Sequence, residues 1–153
     1  MEYHIDYTDR QIIAELHRNA RKSYLQIAKD LKISNSLVHQ RINKLREAGV
    51  ISDPSIRLDP KKLGMECCAF VNITVESGRK VNDVVKKLKA IDEVVECHFM
   101  SGQFTLLVKI FAKDSDNLSD ILLDQISIIE GVAATETNIA FRTAIDRGVA
   151  IGE

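Results

Sequence analysis

Apolar positions in the first fifty residues recur at helical spacing. Ile12, Ile13 and Leu16 form one stripe, Ile27, Ala28 and Leu31 a second, and Val38, Ile42 and Leu45 a third. This is the period of helices that bury one face. Start signals precede each stripe. Thr8-Asp9-Arg10-Gln11 and Ser23-Tyr24-Leu25-Gln26 fit the capping box, in which hydroxyl and amide satisfy each other's backbone donors, and Ser34 is a plain N-cap. Gly49 is placed to end the third helix. Only Lys32-Ile33 separates the second and third helices, a link short enough to force the tight turn of a helix-turn-helix.

The pattern then breaks at Asp53-Pro54-Ser55 and again at Asp59-Pro60, so residues 53–65 are expected to join two domains, 1–52 and 66–153. The second domain repeats itself. A β-rich run, Cys67 to Val75, leads to a helix with Val81, Val84, Val85 and Leu88 on one face, then to a strand from Val94 to Met100. Phe104 to Phe111 begins the second half, followed by a helix with Leu118, Ile121, Leu122 and Ile129 and a strand near Ala134 to Phe141. Two strand-helix-strand units of this size predict a βαββαβ ferredoxin-like sandwich. The fold class is therefore α+β, a helix-turn-helix (winged-helix-like) domain followed by a ferredoxin-like one.

The alternation within the strands carries a further expectation. Ala69, Val71 and Ile73 form one apolar face of the first strand, yet Cys68 and Phe70 stand opposite. Leu106, Val108 and Ile110 likewise oppose Leu107 and Phe111. A lone subunit would leave one such face wet, so a second subunit is expected to cover it.

Charge turns the architecture toward function. Arg18, Arg21, Lys22, Lys29, Lys32, Arg41, Lys44 and Arg46 face only Asp30 across residues 18–46, a local balance of +7 in a chain whose total is −1. Lysines and arginines concentrated on a helix-turn-helix suit the phosphates of double-stranded DNA, from which they release condensed counterions. With Val38, Ile42 and Leu45 turned inward, the third helix presents Asn35, Ser36, His39, Gln40 and Asn43. Asn and Gln side chains can pair bidentately with adenine in the major groove, while Arg41, Lys44 and Arg46 are expected at phosphates.

Other classes find less support. The 153 residues, 45% of them hydrophobic, suffice for two small packed domains, and no apolar run reaches membrane-spanning length. No signal peptide is expected before the first helix, and Cys67, Cys68 and Cys97 are odd in number and lack metal-ligand spacing. They read as small core residues of a cytoplasmic protein without metal or cofactor. No Gly-x-Ser-x-Gly elbow, phosphate loop or Gly-x-Gly-x-x-Gly motif occurs, so an enzyme is not expected.

The chain resembles the leucine-responsive/asparagine-responsive (Lrp/AsnC) family of transcription regulators over nearly its whole length. The resemblance lies in Ile5-Asp6-Tyr7-Thr8-Asp9, in Ile33-Ser34 at the start of the recognition helix, and in Arg41-Ile42-Asn43-Lys44-Leu45 through Gly49-Val50-Ile51. It continues in Glu96-Cys97-His98 before Ser101-Gly102, and in Thr135-Glu136-Thr137 after Gly131-Val132. It implies homodimers that assemble to octamers and a small effector, commonly an amino acid, bound between dimers. On this resemblance Ser101, Gly102, Gln103, Phe104 and Thr105 form the effector loop, with Thr135 and Thr137 near the loop of a neighbouring dimer and Asp124 facing the ligand's amino group. Two departures from the family pattern matter. Lys32 stands where a turn glycine is usual, and Gly102-Gln103-Phe104-Thr105 replaces the frequent Gly-Asp-Tyr/Phe-Asp. With both loop carboxylates gone, the expected effector is a neutral amino acid. The alternative is an architectural DNA-binding protein with no effector.

Overall fold

The computed structural model describes residues 3–149. The outermost ends of the expected divisions 1–52 and 66–153 lie outside the described residues. The chain forms two compact units. One reaches to Arg57 and takes in the chain again from Arg147, and the other runs Leu58–Asp146. The division falls inside the expected 53–65 connector, while the chain from Arg147 groups with the first unit rather than with the expected 66–153 domain.

Three helices make the first unit: α1 (Tyr7–Arg18), α2 (Tyr24–Leu31) and α3 (Asn35–Glu47). Ile12, Ile27, Ala28, Val38 and Ile42 meet in one core, with Leu16, Leu31 and Ile33 packed at its edge. The capping residues explain the boundaries. Ser23 and Ser34 accept hydrogen bonds from the backbone N–H groups of Gln26 and Leu37 at 3.2 and 3.1 Å. α1 begins earlier than Thr8 suggests: Asp6 is its N-cap and Asp9 completes the capping box. Two Schellman closures end α2 and α3. Ile33 N–H donates to Ala28 C=O and Lys32 N–H to Lys29 C=O; Val50 N–H donates to Leu45 C=O and Gly49 N–H to Arg46 C=O.

The first closure forces Lys32 to φ 54°, the only non-glycine residue at positive φ among the described residues. Left-handed backbone costs a side-chain-bearing residue roughly 1–2 kcal/mol. Lys32→Gly is therefore expected to raise stability, by about 0.5–1 kcal/mol once the greater freedom of unfolded glycine is subtracted. Urea denaturation checks this, and an unchanged or lower midpoint would show that the turn carries no strain.

The second unit is a four-stranded antiparallel sheet in the order β2-β3-β1-β4, from β1 (Cys67–Val75), β2 (Val94–Phe99), β3 (Leu106–Ala112) and β4 (Val132–Ala140). α4 (Val81–Leu88) connects β1 to β2. α5 (Ser115–Asp120) continues into a π-helical turn, Ile121–Ile126, before β4. This is the expected βαββαβ sandwich. Val71 pairs with Val108 on one side and Thr137 on the other, and Ile73 with Leu106 and Thr135. Opposed residues in an antiparallel ladder share a face. The face carrying Ala69, Val71, Ile73, Leu106, Val108 and Ile110 is fully buried with Val84, Leu88, Leu118, Ile121 and Ile126 of the helical layer. The other face carries Cys68, Phe70, Leu107 and Phe111, all only partly buried. Lys109 lies among them, its ammonium 5.9 and 5.5 Å from the ring centres of Phe70 and Phe111 and 2.8 Å from Glu96.

Candidate DNA-reading and effector sites

α3 divides cleanly by helical phase. Val38, Ile42 and Leu45 have no exposed surface, whereas Asn35, Ser36, His39, Gln40, Asn43, Lys44 and Arg46 are exposed. At about 100° per residue the exposed set covers one arc of roughly 180°. Tyr24 of α2 braces the arc, its ring meeting His39 edge-on at 4.5 Å and 78°. The Ser36 hydroxyl lies 3.1 Å from that of Ser34. An arc of short or planar polar groups flanked by cations can both read base edges and contact phosphate.

Arg41 departs from that arrangement. Three residues after Val38 and four before Leu45, it falls on the core side of the helix, and its guanidinium Nη1 donates to Asp6 Oδ2 at 2.6 Å. It also approaches both oxygens of Asp9, at 3.4 and 3.5 Å. Asp9 is the one fully buried charged residue among the described residues, and it accepts hydrogen bonds from the Tyr3 hydroxyl at 3.0 Å and the Asp6 N–H at 3.1 Å. The Asp9 N–H, and after it Arg41, holds the Asp6 carboxyl below its ordinary range. This stabilising contribution is present above the ordinary carboxylate range and is lost as pH falls through the lowered value.

The other cations divide likewise. Arg18 pairs with Glu15 at 2.7 Å, Lys22 clamps Glu15 to Asp30, and Arg46 stands 3.8 Å from the exposed Asp53. Arg21, Lys29, Lys32 and Lys44 form no side-chain ion pair among the described residues. The basic run is thus part scaffold and part open surface. Sequence pattern places Asp6 and Asp9 only at the start of α1 and not as partners of Arg41; the signal available was the phase of Arg41, which lies beside the buried positions.

In the second unit Ser101, Gly102 and Gln103 are exposed in the β2–β3 loop and Phe104 is half-buried. The backbone N–H groups of these four residues make no hydrogen bond among the described residues. Thr105 is engaged: its N–H donates to Ile73 C=O at 2.9 Å and its Oγ1 accepts from Val75 N–H at 3.2 Å, where the β1–β4 register shifts. Thr135 and Thr137 share the helix-side face, but β4 is an edge strand, so Thr135 is exposed and Thr137 half-buried. β1 lies between them and the loop, a spacing of about 10 Å across two strand intervals. Within one subunit the threonines and the loop do not converge. Asp124 is exposed on the π turn and bonds to neither.

A cleft of about 840 Å³ opens between α4 and residues 125–130, lined by Lys86, Lys87, Ile91, Gln125, Ile128 and Ile129 among others, and by none of the expected effector residues. The three cysteines are free and half-buried, and burial raises the thiol pKa of Cys68 and Cys97. Among the described residues no three His, Cys, Asp or Glu side chains cluster as metal ligands, and no helix is long and apolar enough to cross a membrane.

A recognition helix with an outward polar arc, followed in the chain by a ferredoxin-like sandwich, defines a two-domain protein of the helix-turn-helix DNA-binding class. Residues 5–52 match the family profile for winged helix-turn-helix DNA-binding, and residues 68–150 that of the Lrp/AsnC ligand binding domain. The regulatory protein AsnC of Haemophilus influenzae is 31% identical over 96% of this chain and 98% of its own. The solved structure of Escherichia coli AsnC superposes with a TM-score of 0.90 at 32% identity, covering 96% of this chain and 99% of that one. A feast or famine regulatory protein of Mycobacterium tuberculosis, solved in complex with L-methionine, superposes with a TM-score of 0.88 at 27% identity, over 97% and 100% of the two chains. The chain belongs to the Lrp/AsnC family of transcription regulators.

Proposed function

We propose that this regulator reads a roughly palindromic duplex as a homodimer that assembles to an octamer in the cytoplasm, without catalysing a reaction, and that a neutral amino acid controls it. The observation that carries the DNA assignment is the exposed arc of α3: Asn35, Ser36, His39, Gln40 and Asn43 at base edges, with Lys44 and Arg46 at phosphates. Selection of bound duplexes from random sequence, followed by band-shift titration, tests it. Half-sites should lie about one helical turn, or a multiple, apart. Lys44→Ala should weaken all sequences and reduce the slope of log affinity against log salt by about 1 per contact, whereas Gln40→Ala and Asn43→Ala should mainly relax base preference by about 1–3 kcal/mol. Binding that ignores salt between low and physiological concentration refutes the interface.

The effector assignment is supported by the free N–H groups of the Gly102-Gln103-Phe104 loop, a suitable cradle for a carboxylate, by the same-face threonines of β4, and by the methionine complex of the mycobacterial relative. Loop and threonines from different subunits would complete one site, since in a single subunit β1 separates them. Asp124 is the candidate partner of the ligand's amino group, and Thr105 supports the loop. A ligand at about 100 times its dissociation constant stabilises a fold by ~2.7 kcal/mol. Millimolar screening of the common amino acids by thermal shift should thus single out a neutral one, and Thr135→Val with Thr137→Val should abolish its response. No shift with any amino acid favours the architectural reading.

A further inference from the structure

We propose that Arg41 is a positioning residue and not a phosphate contact: with Asp6, Asp9 and Tyr3 it sets the attitude of the recognition helix against the start of α1. This rests on the DNA-binding reading above and reassigns one residue of it. Three observations carry the proposal. By helical phase Arg41 sits about 60° beyond Lys44, the last residue of the exposed arc, and about 40° from Leu45 in the core. Its Nη1 serves three carboxylate oxygens, at 2.6, 3.4 and 3.5 Å. Asp9 is completely buried, and the other residues bonded to it, Tyr3 and Asp6, bring no positive charge. Two carboxylates this close repel each other, and a buried one must be matched by a nearby cation. Arg41 supplies it from the recognition helix.

The consequence is a mechanical link between helices far apart in sequence. Asp6 and Asp9 cap α1, each accepting the other's backbone N–H at 2.9 and 3.1 Å, so the ends of their side chains are fixed by the first turn of that helix. An arginine anchored there cannot swing toward a phosphate without abandoning a buried charge. What it determines is the angle at which Gln40 and Asn43, its neighbours in α3, meet a base edge. Removing the link should therefore damage discrimination between sequences more than electrostatic attraction.

The test compares affinities of the full chain for a duplex selected by the parent protein and for a scrambled duplex of equal length, each across a salt series. Asp6→Asn, Arg41→Gln and Arg41→Lys should each lower the selected-to-scrambled ratio at least tenfold, with the salt slope on scrambled DNA unchanged. Lys44→Ala, the phosphate reference, should lower the slope with the ratio largely kept. Asp6→Asn is the sharpest arm, because deleting a negative charge near DNA would by electrostatics alone strengthen binding to both duplexes. Should Arg41→Gln fail to fold, Asp6→Asn, at a half-exposed side chain, and Arg41→Lys, which keeps the charge, still decide the matter. A slope that falls for Arg41→Gln as it does for Lys44→Ala, or full retention of the ratio in Asp6→Asn and Arg41→Lys, overturns the proposal. A parent protein that selects no duplex overturns instead the DNA-binding reading on which it rests.

Discussion

Val108→Glu is expected to abolish folding of the second unit, whereas Leu107→Glu, one residue away, should leave it folded and change only its assembly. Val108 has no exposed surface and pairs in register with Val71 of β1 and Cys97 of β2, on the face beneath α4 and α5. A carboxylate there is surrounded by apolar side chains, and such burial costs on the order of 4–5 kcal/mol, comparable with the whole stability of a small domain. Leu107 points the other way, between Asn72 and His98 on the open face and two residues from Lys109. A glutamate at 107 stays in contact with water and has an ammonium within reach, so the subunit tolerates it. Placed between two stacked sheets, the same charge would meet Phe70 and Phe111 of a partner. Circular dichroism should report native content for Leu107→Glu and none from the second unit for Val108→Glu. Light scattering should give the parent an oligomer mass and Leu107→Glu a smaller one. If both masses agree, the open face is not where subunits meet.

These two neighbours also show how far the sequence alone could be read. Period two along Cys67–Val75 and Leu106–Ala112 separates the faces correctly, because every second residue of β1 and β3 is apolar enough to be buried. The α4 stripe of Val81, Val84, Val85 and Leu88 was equally plain, since every other residue of that segment is polar or charged. Legibility failed where tertiary contacts choose between local options. Asp6 and Thr8 are both good N-caps; Asp6 prevails because Asp9 completes its capping box and Arg41, 35 residues on, pairs with it. The π turn escaped for a related reason. Leu118, Ile121 and Leu122 fit an ordinary helix, but the next fully buried residue is Ile126, five after Ile121, while Gln125 is exposed. One extra residue in the turn reconciles the spacing with the core, and the polar Gln125 at the expected apolar position was the visible trace. The exposed arc of α3 was legible as a set, although Arg41 was grouped with it by charge when its phase placed it with the core. The effector residues were named through family resemblance rather than pattern: residues 101–105, Asp124, Thr135 and Thr137 lie on three separate elements, share no periodicity, and are not brought together within one subunit.

Gly131→Ala should destabilise the second unit by roughly 2–5 kcal/mol, far more than Gly49→Ala destabilises the first. Both glycines hold positive φ, 69° at Gly49 and 100° at Gly131. Backbone strain of roughly 1–2 kcal/mol applies to each. They differ in their surroundings. A methyl group at Gly49 meets nothing within 4 Å, whereas one at Gly131 lies 3.0 Å from Lys80 Cβ and 3.2 Å from Val84 Cγ2. Neither neighbour can yield easily. Lys80 Cβ is fixed to the backbone just ahead of α4, its ammonium held by Glu76 and Glu130, and Val84 is fully buried in the core. Overpacking of this kind adds about 1–3 kcal/mol. The position matters beyond stability, because Gly131 C=O accepts from Glu76 N–H at 2.9 Å and so starts the register that carries Thr135 opposite Ile73 and Thr137 opposite Val71. A strand displaced here misplaces both threonines. Gly131→Ala should therefore lower the urea midpoint and also weaken the amino-acid thermal shift, while Gly49→Ala lowers stability by about 1 kcal/mol and leaves that shift intact. Equal losses in the two variants would mean that α4 moves aside freely, and that the contact with Lys80 and Val84 does not hold β4 in place.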